Sequence, residues 1–351
     1  MPPMANRLVV VEAATAPGFV DALRRAWDAG DAVFPLDPRL PAPARAAVLA
    51  AARPEEPVEA GDALVVATSG TTGDPKAAVL THDAVAASAR ATSDRLGVDP
   101  GKDRWLACLP LAHVGGLSVV TRALLTGTPL TVGPLDDAAG CSLVSLVPAM
   151  LGRVDPTSFR TIVLGGSAMP ADLPPNAVTT YGMTETGSGV VYDGVPLDGV
   201  ELRVDTATGG IEVRAPMLLR AYRDGTDPKD PDGWFPTGDA GTWDATAGRL
   251  RVNGRIGDVI VTGGEKVWPT QVEKVLDSHP AVRESLVLAR PDPTWGQAVV
   301  ARVVPADPTA PPALDALRDW VKQSLPPWFA PKDLELTKEL PRTALGKLRR
   351  R

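Results

Sequence analysis

The chain has 351 residues, of which 33 are Gly and 36 Pro, about a fifth of the whole, and 44% are hydrophobic. Because aperiodic low-complexity sequence holds roughly 25–30% of such punctuation, disorder is excluded as the main state, and the length predicts about two domains served by functional loops. The net charge of -6, from 36 basic and 42 acidic residues, argues against general affinity for nucleic acid or an anionic membrane, so a polyanionic ligand must meet a local positive site.

At the N-terminus the apolar run Leu8 to Val11 is too short for a secretory leader, and no run in the chain approaches the roughly 20 apolar residues that cross a bilayer. A cytoplasmic protein is expected. Cys108 and Cys141 sit in apolar surroundings without CxxC spacing, which predicts reduced, buried thiols. With only His82, His113 and His279 and no HExxH, a metal site built from protein nitrogen and sulfur is not expected.

Phe19, Val20, Leu23 and Trp27 line one face of a predicted helix over 17–29, which Asp37-Pro38 follows as a breaker. An Ala-rich helix is predicted over 42–52. Strands at 63–67 and 77–80 bracket a Gly/Thr loop, followed by a helix over 84–96 and strands at 105–109, 142–147 and 161–164, an alternation that predicts a layered α/β domain. Beyond 195 the texture changes to short β runs at 200–204, 210–214 and 250–252, read as a β subdomain. In the C-terminal segment Val272, Val275 and Leu276 mark one helix, 285–289 and 298–304 read as strands, and Leu314, Leu317, Val321 and Leu325 mark a second helix. The expected fold is therefore α/β: a large multi-layer N-terminal domain with a β subdomain over 1–254, a Gly-bearing hinge at 255–258, and a small mobile α+β domain over 259–351.

The most informative loop is Thr68-Ser69-Gly70-Thr71-Thr72-Gly73-Asp74-Pro75-Lys76. Its glycines let backbone amides turn toward an anion, its hydroxyls add donors and Lys76 adds charge, a set that suits polyphosphate. A Walker loop needs Gly directly before Lys and a helix after it, whereas Pro75 precedes Lys76 and a strand follows. A plain polar hairpin turn is the competing reading.

This loop resembles the phosphate-binding signature of the acyl-adenylate-forming superfamily of acid:CoA ligases, peptide-synthetase adenylation domains and luciferases. Further motifs follow in that family's order. Leu109-Pro110-Leu111-Ala112-His113 resembles the loop of the aromatic or His gate, and Gly165-Gly166-Ser167 the adenine-side strand end. Tyr181-Gly182-Met183-Thr184-Glu185-Thr186 resembles the motif whose aromatic flanks adenine and whose Glu holds magnesium. Thr237-Gly238-Asp239 resembles the ribose motif, Gly254-Arg255 with Asp258 the hinge motif, and Pro341-Arg342-Thr343-Ala344-Leu345-Gly346-Lys347 the catalytic lysine motif. Two positions depart from the pattern: Gly257 stands at the usual hinge Asp or Lys, and Ala77 where Gly commonly follows the loop lysine.

The resemblance implies coupling of a carboxylate to the α-phosphate of ATP, forming acyl-AMP and pyrophosphate, and then displacement of AMP by the thiol of CoA. It implies catalytic roles for Lys347, Glu185, Thr184 and His113, with Mg²⁺ at Glu185. ATP contacts fall on Thr68, Ser69, Gly70, Thr71, Thr72, Gly73, Lys76, Gly165, Gly166, Ser167, Tyr181, Asp239 and Arg255. Gly263, Gly264 and Lys266 would line the CoA channel once the small domain rotates. The family often forms homodimers, and no motif here locates an interface.

The segment from Leu111 to Leu117, followed by Thr121-Arg122, resembles the o-succinylbenzoate:CoA ligases of menaquinone biosynthesis, and the chain is shorter than most of the superfamily ahead of its phosphate loop. A diacid needs a cation for the carboxylate that is not activated. Arg122 is the candidate, with Ser188 as a second pocket residue and a solvent-exposed helix position as the competing reading for Arg122. The remaining readings are a ligase for another aryl or alkanoic acid, delivery to a carrier protein, and an inactive nucleotide-binding homologue.

Overall fold

The structure, a computed structural model, describes residues 6–69, 75–167, 169, 172–342 and 348–350, and all elements below are those of the described residues. In the first sheet the strands Leu8–Glu12, Ala32–Leu36 and Asp62–Ser69 run parallel. Pro75–Thr81 then adds antiparallel to Asp62–Ser69, and the short strand Ala221–Tyr222 closes its far edge. Every residue of Ala32–Leu36 is buried, as expected for a strand covered on both faces. Phe19, Val20 and Leu23 of the helix Pro17–Asp28 are buried in the same core, and Trp27 Nε1 donates to the Ala63 carbonyl at 2.9 Å.

The second sheet is parallel through Ala177–Gly182, Thr161–Leu164, Leu143–Leu146, Trp105–Ala107 and Leu130–Val132, with Gly189–Tyr192 and Val195–Pro196 antiparallel at one edge. Two helices lie between the sheets. His82–Arg95 packs on Asp62–Ser69 and Pro75–Thr81, Val114–Thr126 packs on Trp105–Ala107 and Leu143–Leu146, and the two helices pack on each other. Thr81 Oγ1 caps the first by accepting from the Ala84 amide at 3.2 Å.

The layered α/β expectation stands, but several elements were not anticipated. Val114–Thr126 is a helix that was not assigned as an element from the sequence; its residues 116–123 are buried, Ser118, Thr121 and Arg122 included, so its polar face is turned inward rather than toward solvent. Gly116 permits its packing, since a Cβ there would lie 2.5 Å from the Leu109 carbonyl oxygen. The strands Ala32–Leu36, Ala177–Gly182 and Gly189–Tyr192 also carry no clear alternation.

The β subdomain is an antiparallel sheet of Glu201–Val204, Gly210–Arg214, Phe235–Asp244 and Arg249–Arg255. From Ile260 onward the chain builds a separate core of Val272, Leu276, Val299, Leu317 and Val321, beneath a sheet of Glu265–Val267, Ile260–Thr262, Gly296–Pro305, Val282–Asp292 and Asp333–Leu336. Its helices are Pro269–Asp277 and Leu314–Lys322; Leu325, expected on the second helix, packs on the core just beyond its end. A large α/β domain and a small α+β domain result. Gly257 lies in the 3-10 turn Ile256–Asp258 that follows Arg255. Among the described residues no helix is long and apolar enough to cross a membrane.

Candidate functional site

Three edges of the fold converge on one region. The first is built by register: Asp239 and Arg255 face each other across the antiparallel pair Phe235–Asp244 and Arg249–Arg255, which places guanidinium against carboxylate. Arg255 Nε lies 2.9 Å from Asp239 Oδ1, and Arg255 Nη1 donates to the Thr237 carbonyl at 2.9 Å. Tyr181, at the end of Ala177–Gly182 in the second sheet, donates its hydroxyl to Asp239 Oδ2 at 2.9 Å. Burial and the neighbouring Asp239 charge push the Tyr181 phenol far above its ordinary value, so it remains a donor at any working pH.

Gly165 and Gly166 follow the parallel strand Thr161–Leu164, next to the strand that carries Tyr181, and Ser167 beyond them is exposed. Ligands of open α/β sheets bind outside such carboxyl ends.

The second edge centres on Glu185, in the 3-10 turn Thr184–Thr186 and only 9% exposed. That turn follows Gly182, where a Cβ would fall 2.2 Å from the Ser188 carbonyl oxygen, so no larger residue fits. The Glu185 carbonyl accepts from the Leu219 amide at 2.7 Å, and its carboxylate Oε1 accepts from the Tyr222 hydroxyl at 2.9 Å. Lys76 Nζ sits 4.7 Å from the centroid of the same Tyr222 ring. Arg255 acts electrostatically on both Tyr181 and Tyr222, which ties the two edges together.

The third edge is Arg122, which the sequence left open as an exposed helix position; it is instead only 2% exposed. Its Nη2 donates to Ser188 Oγ at 3.1 Å and its guanidinium lies 4.8 Å over the Trp105 ring, while Nε and Nη1 have no hydrogen-bond partner among the described residues. Arg122 lines a small cavity with Leu64, Leu80, Leu117, Ser88, Ser118 and Thr121, and burial holds its guanidinium below the ordinary value. A buried, underpaired cation is costly unless an anion completes it.

The other sequence candidates are more dispersed. His113 is the N-cap of Val114–Thr126 and lines a separate hollow with Phe34, Leu36, Asp37 and Val48, away from the Arg122 cavity. Gly263 and Gly264 form the exposed turn between Ile260–Thr262 and Glu265–Val267 on the small C-terminal unit, and Lys266 lies exposed within the second of those strands. Thr68 and Lys76 pair across the strands that lead into and out of the phosphate loop, and Ser69 pairs with Pro75. Gly70, Thr71, Thr72, Gly73 and Lys347 lie outside the described residues. Tyr222 and Trp105 escaped the sequence reading: Tyr222 reaches Glu185 and Lys76 from a short strand far along the chain, and Trp105 joins the site by its ring lying under the Arg122 guanidinium.

Among the described residues no three His, Cys, Asp or Glu side chains gather to hold a metal by themselves. Mg²⁺ ordinarily takes one or two carboxylates and completes its shell with phosphate oxygens and water. Glu185, whose partner Tyr222 also meets Lys76 at the mouth of the phosphate loop, fits that pattern.

The AMP-binding enzyme family matches residues 51–215, and the AMP-binding enzyme C-terminal domain matches residues 271–347. A protein of Mycobacterium tuberculosis named "Probable 2-succinylbenzoate--CoA ligase" is 40% identical over 335 residues, covering 86% of each chain. The solved o-succinylbenzoate CoA synthetase of Bacillus subtilis in complex with the acyl-adenylate intermediate is 28% identical with a TM-score of 0.76, over 97% of this chain and 81% of that one. The Bacillus subtilis synthetase in complex with ATP and magnesium ion is 27% identical with a TM-score of 0.75, over 97% and 82%.

Proposed function

Because the chain belongs to the AMP-binding enzyme family, we propose that it activates o-succinylbenzoate with ATP and passes the acyl group to CoA, a step of menaquinone biosynthesis. It is an ATP-dependent, AMP-forming acid:CoA ligase. The observation that carries the choice of acid is Arg122: a buried guanidinium beside Ser188, with Nε and Nη1 unpaired among the described residues, suits a second carboxylate.

In this reading Asp239 accepts from the ribose hydroxyls, with Tyr181 and Arg255 holding its carboxylate in place before ATP arrives. Tyr181, with Gly165 and Gly166 on the adjacent strand end, borders the adenine. Glu185 would hold Mg²⁺, which supplies positive charge to the phosphate oxygens. Lys76 and the hydroxyl-rich loop 68–73 cradle the leaving pyrophosphate. Lys347 brings the charge that lets the carboxylate and α-phosphate, both anions, approach each other. His113 and Thr184 border the reacting groups. Residues 1–254 bind ATP and acid, 255–258 act as the hinge, and 259–351 swing so that Gly263, Gly264 and Lys266 line the thiol channel. The reading places the enzyme in the cytoplasm.

The test is AMP and pyrophosphate release with ATP, Mg²⁺, CoA and a panel of acids. Turnover restricted to o-succinylbenzoate supports the assignment. Turnover with benzoate or a fatty acid, but none with o-succinylbenzoate, sinks it.

A further inference from the structure

We propose that Tyr222 is a positioning residue that separates two opposite charges the reaction needs apart, the Lys76 ammonium and the Glu185 carboxylate. The inference rests on the ligase reading above, in which Lys76 serves phosphate and Glu185 serves Mg²⁺. One phenol engages both: its hydroxyl donates to Glu185 Oε1 at 2.9 Å, and its ring face lies 4.7 Å from Lys76 Nζ. An ammonium is attracted to the face of an aromatic ring, and a carboxylate to the hydroxyl at its edge. Without the ring between them the two ions would be drawn into a direct pair, and each would lose the charge it offers to ATP and metal.

The backbone around Tyr222 is built to hold that spacer still. Tyr222 pairs with Ala78, two residues from Lys76, so Lys76 lies on the same sheet face as a diagonal neighbour. Arg220 is fixed by Nε to Asp62 Oδ1 at 2.9 Å and Nη2 to Asp62 Oδ2 at 3.0 Å, and Asp62 is 1% exposed. Arg223 donates to the carbonyls of Ala52, Arg53 and Glu56. Clamped on both sides, Tyr222 has little freedom to swing away.

The experiment is calorimetric titration of ATP into the full-length protein at graded Mg²⁺, without acid or CoA, for the wild type, Tyr222→Phe, Tyr222→Leu, Lys76→Met and the double variant Tyr222→Leu/Lys76→Met. Tyr222→Leu should raise the Mg²⁺ concentration needed for half-maximal coupling about tenfold, and Tyr222→Phe, which keeps the ring, about threefold. The decisive result is a change of sign. Lys76→Met should lower the Mg²⁺ requirement in the Tyr222→Leu background, by removing the ion that quenches Glu185, and should not lower it in the wild type. Equal effects of Lys76→Met in both backgrounds would overturn the proposal, because independent sites add. If Tyr222→Leu does not fold, a Tyr222→Phe titration that superimposes on the wild type overturns it as well. A wild type that binds Mg²⁺ and ATP but releases no AMP with any acid would sink the ligase reading while leaving the Tyr222 spacing intact.

Discussion

Tyr181 and Asp239, 58 residues apart in sequence and on different sheets, meet phenol to carboxylate at 2.9 Å. The bond joins the second sheet to the β subdomain at the point where the ribose and adenine would divide. Tyr181→Phe removes one charge-assisted hydrogen bond and should raise KM for ATP about tenfold with kcat little changed, whereas Asp239→Ala should lower kcat/KM about a hundredfold or more. Initial rates at varied ATP with saturating acid check both. Equal losses for the two variants would mean that Asp239 serves only to hold Tyr181.

Arg122 sets function against stability. Removing a buried, underpaired guanidinium relieves desolvation, so Arg122→Met should stabilise the unliganded protein by about 1 kcal/mol or more. The same change should raise KM for o-succinylbenzoate about a hundredfold while affecting a monoacid analogue far less. Denaturant midpoints and paired substrate kinetics read the two arms; equal losses on diacid and monoacid would remove Arg122 from the acyl pocket.

Lys347 is the charge assigned to the first half-reaction alone. Lys347→Ala should slow acyl-AMP formation at least a hundredfold, leave ATP affinity within about threefold, and leave thiolysis of synthetic acyl-AMP near the wild-type rate. Single-turnover assays of each half-reaction separate these effects. Equal loss in both halves would contradict the assignment.

His82 gives a pH signature in stability. Burial lowers its pKa from the ordinary 6.5, and its ring packs edge-on against Trp27 with centroids 5.0 Å apart. The unfolded chain therefore binds the proton more readily than the fold does. Stability from this group is fully present above pH 6.5 and falls as pH drops from there toward the lowered value. His82→Gln should flatten that part of the curve, measured as urea midpoint against pH between about 5 and 7. An unchanged slope would assign the acid sensitivity elsewhere.

Much of the site was legible because its chemistry sits in short contiguous motifs. Thr237-Gly238-Asp239 and the run from Tyr181 to Thr186 carry their own turn glycines, and Asp239 and Arg255 meet by simple strand pairing. The two helices Pro17–Asp28 and Ala42–Ala52 were also clear, one from its apolar face and the other from its alanines. What stayed hidden depends on tertiary burial. Val114–Thr126 lies between two sheets and buries its polar residues Ser118, Thr121 and Arg122, where a polar helix face ordinarily meets solvent, and so the inward aim of Arg122 was left open. Tyr222 occupies a two-residue strand whose partner begins about 140 residues earlier, and no local pattern marks such a pairing.

The clamps of Arg220 and Arg223 also set a timetable for biosynthesis. Asp62 waits for Arg220 across 158 residues, and at roughly 5–20 residues per second that interval lasts about 8 to 30 seconds on the ribosome. Until then a carboxylate destined for full burial lacks its partner, and Pro75–Thr81 presents an open strand edge where Ala221–Tyr222 will later dock. Nascent chains halted short of residue 220 should thus be the species most prone to misassociate and most in need of a chaperone.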